Sequence, residues 1–309
     1  MLALVTGGAG FIGSSLADAL LAAGHSVRVL DDLSTGFREN VPEAAELLEG
    51  DVADEALVRA AVEGVDVVFH QAAHRAVLRS VVDPLATDTA NVHGTLNVLK
   101  AAADAGVRRL VYASSSSVYG GAAALPTPES APTLPRSPYA VTKLTGEHYC
   151  RVFAELYGLE TVALRYFNVF GPRQRPDSAY AAVIPLFIAA LRAGEAPIVH
   201  GDGGQSRDFT YISDVVAANL AAATGDADVC RGQVYNVANG ESFSLLDLLG
   251  ILSDLLDVEC RPVHSEPRAG DVYTTRGDAS AARRDLGWKP EIGFTEGLRH
   301  TLDWCSRRA

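Results

Sequence analysis

The stretch Leu2-Ala-Leu-Val-Thr-Gly-Gly-Ala-Gly-Phe-Ile-Gly13 carries the strongest fold signal in the chain. Its apolar first part predicts a short buried strand, and Ser14–Ala23 has the pattern of a helix. Gly7, Gly10 and Gly13 lie between the two. Glycines in this place allow a tight turn and let the backbone approach a pyrophosphate, which then rests on the helix N-terminus. The stretch therefore predicts a dinucleotide site between a first strand and a first helix.

The second strand pattern, Ser26–Leu30, ends at an acidic residue, Asp31. A carboxylate in this place accepts hydrogen bonds from the adenosine ribose 2′-hydroxyl and repels a 2′-phosphate, so it favours NAD over NADP. Asp51 ends a further strand pattern, Glu46–Asp51. Two interpretations of Asp51 stay open: contact with the adenine amine, or the N-cap of a helix predicted over Glu55–Glu63.

Strand and helix patterns continue to alternate through the first half of the chain. Further strands are predicted over Val65–His70, Leu110–Ser114 and Thr161–Tyr166, and helices over Asn91–Ala105, Tyr139–Tyr157 and Ser244–Leu256. Continuous apolar strands in βαβ order indicate an α/β fold, a doubly wound parallel sheet covered by helices on both faces. The second half is less regular, and no shift in composition marks a domain boundary.

Composition excludes several classes of protein. The chain has 309 residues, 48% of them hydrophobic and 21% charged, which is typical of a globular protein and excludes disordered, collagen-like and coiled-coil chains. The net charge of −12 argues against a nucleic-acid groove or an anionic membrane surface as partner. The four cysteines have no metal-ligand spacing, and no basic export signal or membrane segment is apparent, so we expect reduced thiols, no metal and a cytoplasmic location.

A second motif, Tyr139-Ala-Val-Thr-Lys143, opens a predicted helix, and a four-residue spacing places Tyr139 and Lys143 on one helix face. A serine run, Ser114–Ser117, ends a predicted strand, where parallel sheets bind their ligands. Serine, tyrosine and lysine together suit hydride transfer, with Tyr139 as base. Ionisation of a tyrosine at pH 7 requires its pKa to fall by about three units, or about 4 kcal/mol. We expect Lys143 and an oxidised nicotinamide to supply the positive charge.

Together these motifs resemble the extended short-chain dehydrogenases/reductases. Further stretches make the chain similar to the nucleotide-sugar 4-epimerases of that group, and they are Arg165-Tyr-Phe-Asn-Val-Phe-Gly-Pro-Arg173, Tyr180-Ala-Ala-Val-Ile-Pro185, Arg207-Asp-Phe-Thr-Tyr-Ile-Ser-Asp214 and Arg268-Ala-Gly-Asp271. The resemblance covers essentially the whole chain. It implies an NAD-dependent UDP-sugar 4-epimerase that passes through a transient 4-keto sugar.

The resemblance also implies which residues form the site. It makes Tyr139 the base, Lys143 its partner and Ser115 the residue that holds the reacting hydroxyl. The cofactor residues that it implies, with the two motifs above, are Gly7, Gly10, Phe11, Ile12, Gly13, Asp31, Asp32, Ser34, Thr35, Gly36, Asp51, Val52, Gln71, Ala72, Ala73, Asn91, Ser114, Tyr139, Lys143, Tyr166 and Phe167. The substrate residues that it implies are Arg75, Ser115, Ser116, Tyr139, Asn168, Arg175, Val183, Arg207, Arg268 and Asp271.

The resemblance also bears on the reaction. Dehydratases of the group place an Asp-Glu pair directly after the reacting Ser or Thr, and decarboxylases place a Glu at the second position. This chain has Ser116 and Ser117 there, which favours epimerisation over either alternative. An NAD(H) sensor without catalysis is a third alternative, and it is disfavoured because Tyr139 and Lys143 are both present. Arg175 is a candidate partner for a C6 carboxylate. Arg75 faces either the substrate or solvent, and His74 is expected in the pocket wall.

The implied organisation has two parts. Residues 1–167, with returning segments near 208–240, are expected to form the NAD-binding domain. Residues 168–207 and 241–309 are expected to form a smaller C-terminal α/β domain for the UDP-sugar. Apolar helices at 91–105 and 139–157 are expected to pair with a second copy in a homodimer. UDP-glucose/galactose, their N-acetylated forms and UDP-glucuronate/galacturonate all stay open as substrates.

Overall fold

The fold was analysed in a computed structural model that describes residues 1–75, 77–121, 124–176, 182–267 and 272–307. Its helices are α1 (Phe11–Ala22), α2 (Glu55–Ala61), α3 (Val77–Val82), α4 (Pro84–Asp88), α5 (Gly94–Asp104), α6 (Pro138–Leu156), α7 (Val183–Arg192), α8 (Ile212–Thr224), α9 (Ala227–Cys230), α10 (Leu245–Leu256), α11 (Ser280–Leu286) and α12 (Phe294–Ser306). Its strands are β1 (Leu2–Thr6), β2 (Ser26–Asp31), β3 (Glu46–Glu49), β4 (Val67–His70), β5 (Arg109–Ser115), β6 (Glu160–Tyr166), β7 (Val169–Phe170), β8 (Ile198–His200), β9 (Ser206–Arg207), β10 (Thr210–Tyr211), β11 (Gln233–Val237), β12 (Phe243–Ser244) and β13 (Val263–Ser265).

Seven strands form one parallel sheet in the order β11-β6-β5-β4-β1-β2-β3. The strand order reverses between β1 and β4, and in such sheets ligands bind beyond the carboxyl ends of the strands at that point. This confirms the predicted α/β fold with a doubly wound parallel sheet. Three two-stranded pairs, β7–β10, β9–β12 and β8–β13, lie outside it.

Helices cover both faces of the sheet. Helices α1 and α8 pack together on one face, and α2, α5 and α6 pack side by side on the other. The apolar core on the α1 side continues without a break into α7, α10 and α12, through residues such as Phe187, Leu248 and Leu298. Helices α7, α10 and α12 thus share one apolar core with the sheet.

Local signals set most helix ends within a few residues of the predicted ones. Helix α10 begins with the capping box formed by Ser244 and Asp247, and α6 begins after the N-cap Ser137. The helix predicted over residues 91–105 is different. Its first turn, Thr89–His93, is π-helical and follows directly on α4, so regular helix begins only at Gly94.

The remaining observations concern thiols and membrane helices. All four cysteines are free, with Cys150 and Cys230 buried. Among the helices that the structure describes, none has the length and apolar character needed to cross a membrane.

Candidate active site

A cavity of about 500 Å³ runs along the carboxyl ends of the parallel strands. Its walls come from the loops after β1, β2, β3, β4, β5 and β6, and from Arg207 and the segment 272–275. We call it the cleft. A second cavity of about 250 Å³ lies between α7, β8 and β9, and Asn168 and Arg207 line both.

The glycine turn after β1 forms the floor of the cleft. Gly7 has φ +71, and a Cβ there comes within 2.7 Å of the Ala72 backbone nitrogen. A Cβ at Gly13 comes within 2.2 Å of the Gly7 carbonyl oxygen, so α1 rests directly on the turn. At Gly10 the nearest atom is 3.2 Å away, and no side chain caps α1 there. The first N–H groups of α1 therefore face the cleft, as a pyrophosphate site requires.

Asp31, at the end of β2, is buried and accepts hydrogen bonds from the N–H groups of Ala9 and Leu33, at 2.9 and 2.8 Å. Burial raises its pKa. The carboxylate is thus fixed beside the glycine turn. Asp51 also lines the cleft, and its Oδ1 accepts the N–H of Ala53 at 2.9 Å. The N-cap of α2 is Asp54, so the capping interpretation of Asp51 is wrong.

Ser115, Tyr139 and Lys143 meet in the cleft, at the end of β5 and the start of α6. Lys143 is buried, and its Nζ donates to the Ala113 carbonyl at 2.7 Å. The Nζ lies 6.0 Å from the centroid of the Tyr139 ring. Ser115 lies beside Tyr139, and its Oγ accepts the N–H of Ser117 at 3.2 Å.

The electrostatics of Tyr139 differ from the expectation. Burial raises the pKa of Tyr139, while the nearby hydroxyl of Ser115 and the charge of Arg75 act to lower it. The protein groups by themselves thus leave this pKa above its ordinary value. Burial lowers the pKa of Lys143 to about 8. Arg75 is a cation acting on Tyr139 that sequence reasoning did not assign to this role.

The other wall of the cleft carries candidate substrate residues. Asn168 has φ +24, and its Nδ2 donates to the carbonyl of Asp208 at 2.9 Å and to Oγ1 of Thr275 at 3.2 Å. Arg207 donates to the backbone carbonyls of Ser206, at 2.9 Å, and Tyr273, at 3.2 Å. These contacts fix both side chains at the junction of the two cavities. Val183 lines the second cavity, whereas Arg268 and Asp271 lie outside the described residues.

Arg75 and Arg175 lie close enough to repel each other. The guanidinium of Arg175 stacks on Phe37, at 4.1 Å from the ring centroid, and donates to the Thr35 carbonyl at 3.2 Å. Arg175 therefore lies over the loop that follows β2. Arg75 lines the cleft itself, close to Tyr139.

Two predicted cofactor residues are placed elsewhere. Gly36 packs against Ala9, where a Cβ comes within 2.7 Å of Ala9 atoms. Asn91 is buried behind the cleft wall. Its side chain accepts the N–H of His74 at 2.7 Å and donates to the carbonyl of His74 at 3.1 Å and to Thr142 at 3.0 Å. Asn91 thus holds the loop after β4 in place.

The other predicted cofactor residues line the cleft. They are Gly7, Gly10, Phe11, Ile12, Gly13, Asp31, Asp32, Ser34, Thr35, Asp51, Val52, Gln71, Ala72, Ala73, Ser114, Tyr139, Lys143, Tyr166 and Phe167. His74 lines the cleft as expected of a wall residue, and burial lowers its pKa. Sequence reasoning missed Tyr119, Thr127, Gln174, Thr274 and Thr275. No local motif marks these residues, because distant parts of the chain bring them to the cleft.

Comparison with known proteins agrees with this geometry. The model of the NAD dependent epimerase/dehydratase family matches residues 3–238. The chain belongs to this family. Its cofactor is NAD, and the open helix N-terminus with Asp31 beside it fits that dinucleotide.

Individual members of the family match over the full length. The chain is 41% identical over 316 residues to the UDP-glucose 4-epimerase of Mycolicibacterium smegmatis, covering 100% of both chains. A UDP-glucose 4-epimerase of Thermotoga maritima, solved with UDP-glucose, has a TM-score of 0.96 and 35% identity, covering 100% of this chain and 99% of that one. The UDP-N-acetylglucosamine 4-epimerase of Methanobrevibacter ruminantium, solved with UDP-N-acetylmuramic acid, has a TM-score of 0.94 and 39% identity, covering 99% and 98%.

Proposed function

We propose that the protein is a UDP-sugar 4-epimerase, which inverts C4 of a UDP-hexose through a transient 4-keto sugar. The observation that carries this proposal is the set of groups around Ser115. A serine, a tyrosine and a lysine meet there. In the described part of the cleft the carboxylates are Asp31, which ends β2, and Asp32 and Asp51, which follow β2 and β3. In the sheet, β2 and β3 lie on the opposite side of β1 from β5, which carries Ser115.

The proposed mechanism assigns one role to each of the three residues. Tyr139 takes the proton of the 4-hydroxyl as the sugar is oxidised, and returns it when the 4-keto group is reduced. Ser115, beside Tyr139 in the cleft, holds the reacting oxygen in place. Lys143 supplies the positive charge that stabilises the tyrosinate. The glycine turn and Asp31 would hold NAD, which would supply the hydride acceptor and donor for C4.

The same geometry argues against elimination of water. A dehydratase needs a further acid and base beside the reacting hydroxyl, and Ser116 and Ser117 stand in the positions that follow Ser115. Neither hydroxyl titrates near neutral pH. The groups present support oxidation and reduction at one carbon, which is epimerisation.

Epimerisation also requires that the nucleotide is bound tightly and that the sugar is bound loosely enough to turn over. Asn168 and Arg207 lie where the cleft meets the second cavity, so a diphosphate held there leaves the sugar in the wider cleft. A guanidinium fixed by backbone carbonyls is suited to bidentate phosphate binding. We propose the same phosphate role for Arg268 and a ribose contact for Asp271.

We also propose a division of the chain between cofactor and substrate, a homodimer and a cytoplasmic location. Residues 1–167 and 208–240 serve the cofactor, and residues 168–207 and 241–309 serve the UDP-sugar. Exposed apolar side chains such as Val82, Leu85 and Val141, on α3, α4 and α6, support a homodimer. The free thiols support a cytoplasmic location.

The test is incubation of the purified protein with UDP-glucose, UDP-N-acetylglucosamine and UDP-glucuronate in turn, with products identified by NMR and mass spectrometry. We expect at least one 4-epimer of unchanged mass. The matched control is Tyr139→Phe, which keeps the ring and is expected to lower kcat by 10² or more while UDP-sugar still binds. A product lighter by one water identifies a dehydratase, and near-native turnover of Tyr139→Phe refutes the assignment of the base.

A further inference from the structure

A buried ion pair that the proposed mechanism does not use lies directly behind the candidate catalytic residues. Glu147, on α6, accepts two hydrogen bonds from the guanidinium of Arg165, on β6, at 2.8 and 2.7 Å. The side chains are only 4% and 6% exposed. Burying two charges is costly unless the geometry is good, so a pair in this place requires an explanation.

Glu147 lies beside the candidate catalytic residues on two sides. The Oγ of Ser114 donates to its carboxylate, and Ser114 directly precedes Ser115 on β5. Lys143 lies four residues earlier on α6, which makes the two side chains neighbours on one helix face. Lys143 and Glu147 are both buried, and the charge of Glu147 favours the protonated form of Lys143.

The other titratable groups that face Lys143 do not supply a negative charge at pH 7, as the carboxylate of Glu147 does. Tyr112, on β5, has its ring centroid 5.0 Å from Nζ, and burial raises its pKa. Burial also raises the pKa of Cys150, on α6. His70, on β4, has a pKa lowered to about 3 by burial and by Lys143 itself. Tyr139, on α6, has its ring centroid 6.0 Å from Nζ, and burial raises its pKa as well. These four groups are neutral at pH 7 in the resting protein, so Glu147 is the anion acting on Lys143 among the described groups packed around it.

We propose that Glu147 is a positioning residue for the proposed epimerase reaction, acting as the counter-ion that keeps Lys143 protonated and as the anchor that fixes Ser114 beside Ser115. Its carboxylate is shared with Arg165. Removing Glu147 and removing Arg165 should therefore change the protonation of Lys143 in opposite directions. The consequence for turnover rests on the proposed function, whereas the consequence for the charge of Lys143 does not.

The chain has only three lysines, Lys100, Lys143 and Lys289, so NMR of the NAD-saturated protein labelled with [¹³C]lysine can follow each one. Lys100 and Lys289 are exposed and serve as internal controls. In the E147Q variant we expect the Lys143 titration midpoint to fall by about one pH unit or more relative to wild type. In the R165M variant it should rise, because Glu147 then acts on Lys143 alone.

The double variant E147Q/R165M is the control for misfolding of the single variants. Replacing both members of a buried ion pair by neutral side chains is usually tolerated, whereas removing one member leaves an unpaired buried charge. Its Lys143 midpoint should also lie below that of wild type. The alkaline limb of kcat against pH should move with the midpoint in each variant, with little change in KM. If Lys143 titrates at the wild-type pH in all three variants, the inference is overturned and the pair is structural only. Shifted midpoints in a protein without epimerase activity would uphold the inference and refute the proposed function.

Discussion

A methyl group added at Gly13 tests whether α1 and the glycine turn are packed as closely as the structure shows. The Cβ of an alanine there meets three backbone atoms, the Gly7 carbonyl oxygen at 2.2 Å, the Gly7 carbonyl carbon at 2.8 Å and the Gly8 Cα at 2.9 Å. None of these can move without shifting the turn. Overpacking of this kind costs typically 1–3 kcal/mol, and helix propensity returns up to about 1 kcal/mol to alanine.

We therefore expect Gly13→Ala to lower the free energy of unfolding by about 2 kcal/mol, or the Tm by about 4 °C. The affinity for NAD should fall at least tenfold, because the displaced turn is the predicted pyrophosphate site. The matched control is Gly250→Ala in α10, where no atom lies within 4 Å of the new Cβ. That variant should gain up to about 1 kcal/mol and bind NAD normally.

Thermal unfolding followed by circular dichroism, with NAD titrations by fluorescence, distinguishes the two variants. If Gly13→Ala is as stable as Gly250→Ala and binds NAD like wild type, the close approach of α1 to the turn does not exist in solution.

Three further predictions concern charge. Because burial holds the pKa of His70 near 3, against 6.5 for the free side chain, the unfolded chain binds the extra proton below pH 6.5 and stability falls as the pH drops. In urea unfolding between pH 7 and pH 5, the free energy of unfolding of His70→Asn should fall by about 2 kcal/mol less than that of wild type. An equal fall in both proteins would show that His70 is charged in the fold. Asp31→Asn should weaken NAD binding and reduce the preference for NAD over NADP, as measured by titration with both dinucleotides. An unchanged ratio of the two affinities would show that Asp31 does not contact the adenosine ribose. Arg75→Ala should slow turnover at neutral pH more than Arg175→Ala in steady-state assays, because Arg75 acts on Tyr139, and the reverse order would contradict this placement.

The residues that sequence placed together, and that the structure brings to the cleft, are those encoded by short motifs. The glycine turn, Asp31 and the Tyr139–Lys143 pair each depend on residues a few positions apart, so backbone conformation and helix periodicity are enough to place them. The meeting of Ser115 with Tyr139 was also predictable, because parallel strands end at one edge of the sheet.

What sequence could not predict depends on contacts between distant segments. The π-helical turn before α5 contains Asn91, whose amide is hydrogen-bonded to the backbone of His74 and the hydroxyl of Thr142. The placement of Arg175 on Phe37 likewise joins two distant loops. Neither contact follows from local propensity, because a side-chain amide or guanidinium can reach several partners and the tertiary fold selects one.

The proposed function makes one further demand that a single labelling experiment can check. If hydride leaves C4 and returns to C4 within the cleft, a deuterium at C4 of the UDP-sugar must remain at C4 of the product. With whichever of the three UDP-sugars it epimerises, the protein should therefore convert the 4-²H form in ordinary water to the 4-epimer with the label retained, as read by NMR and mass spectrometry. An epimer that has exchanged its deuterium for solvent hydrogen would contradict the hydride mechanism.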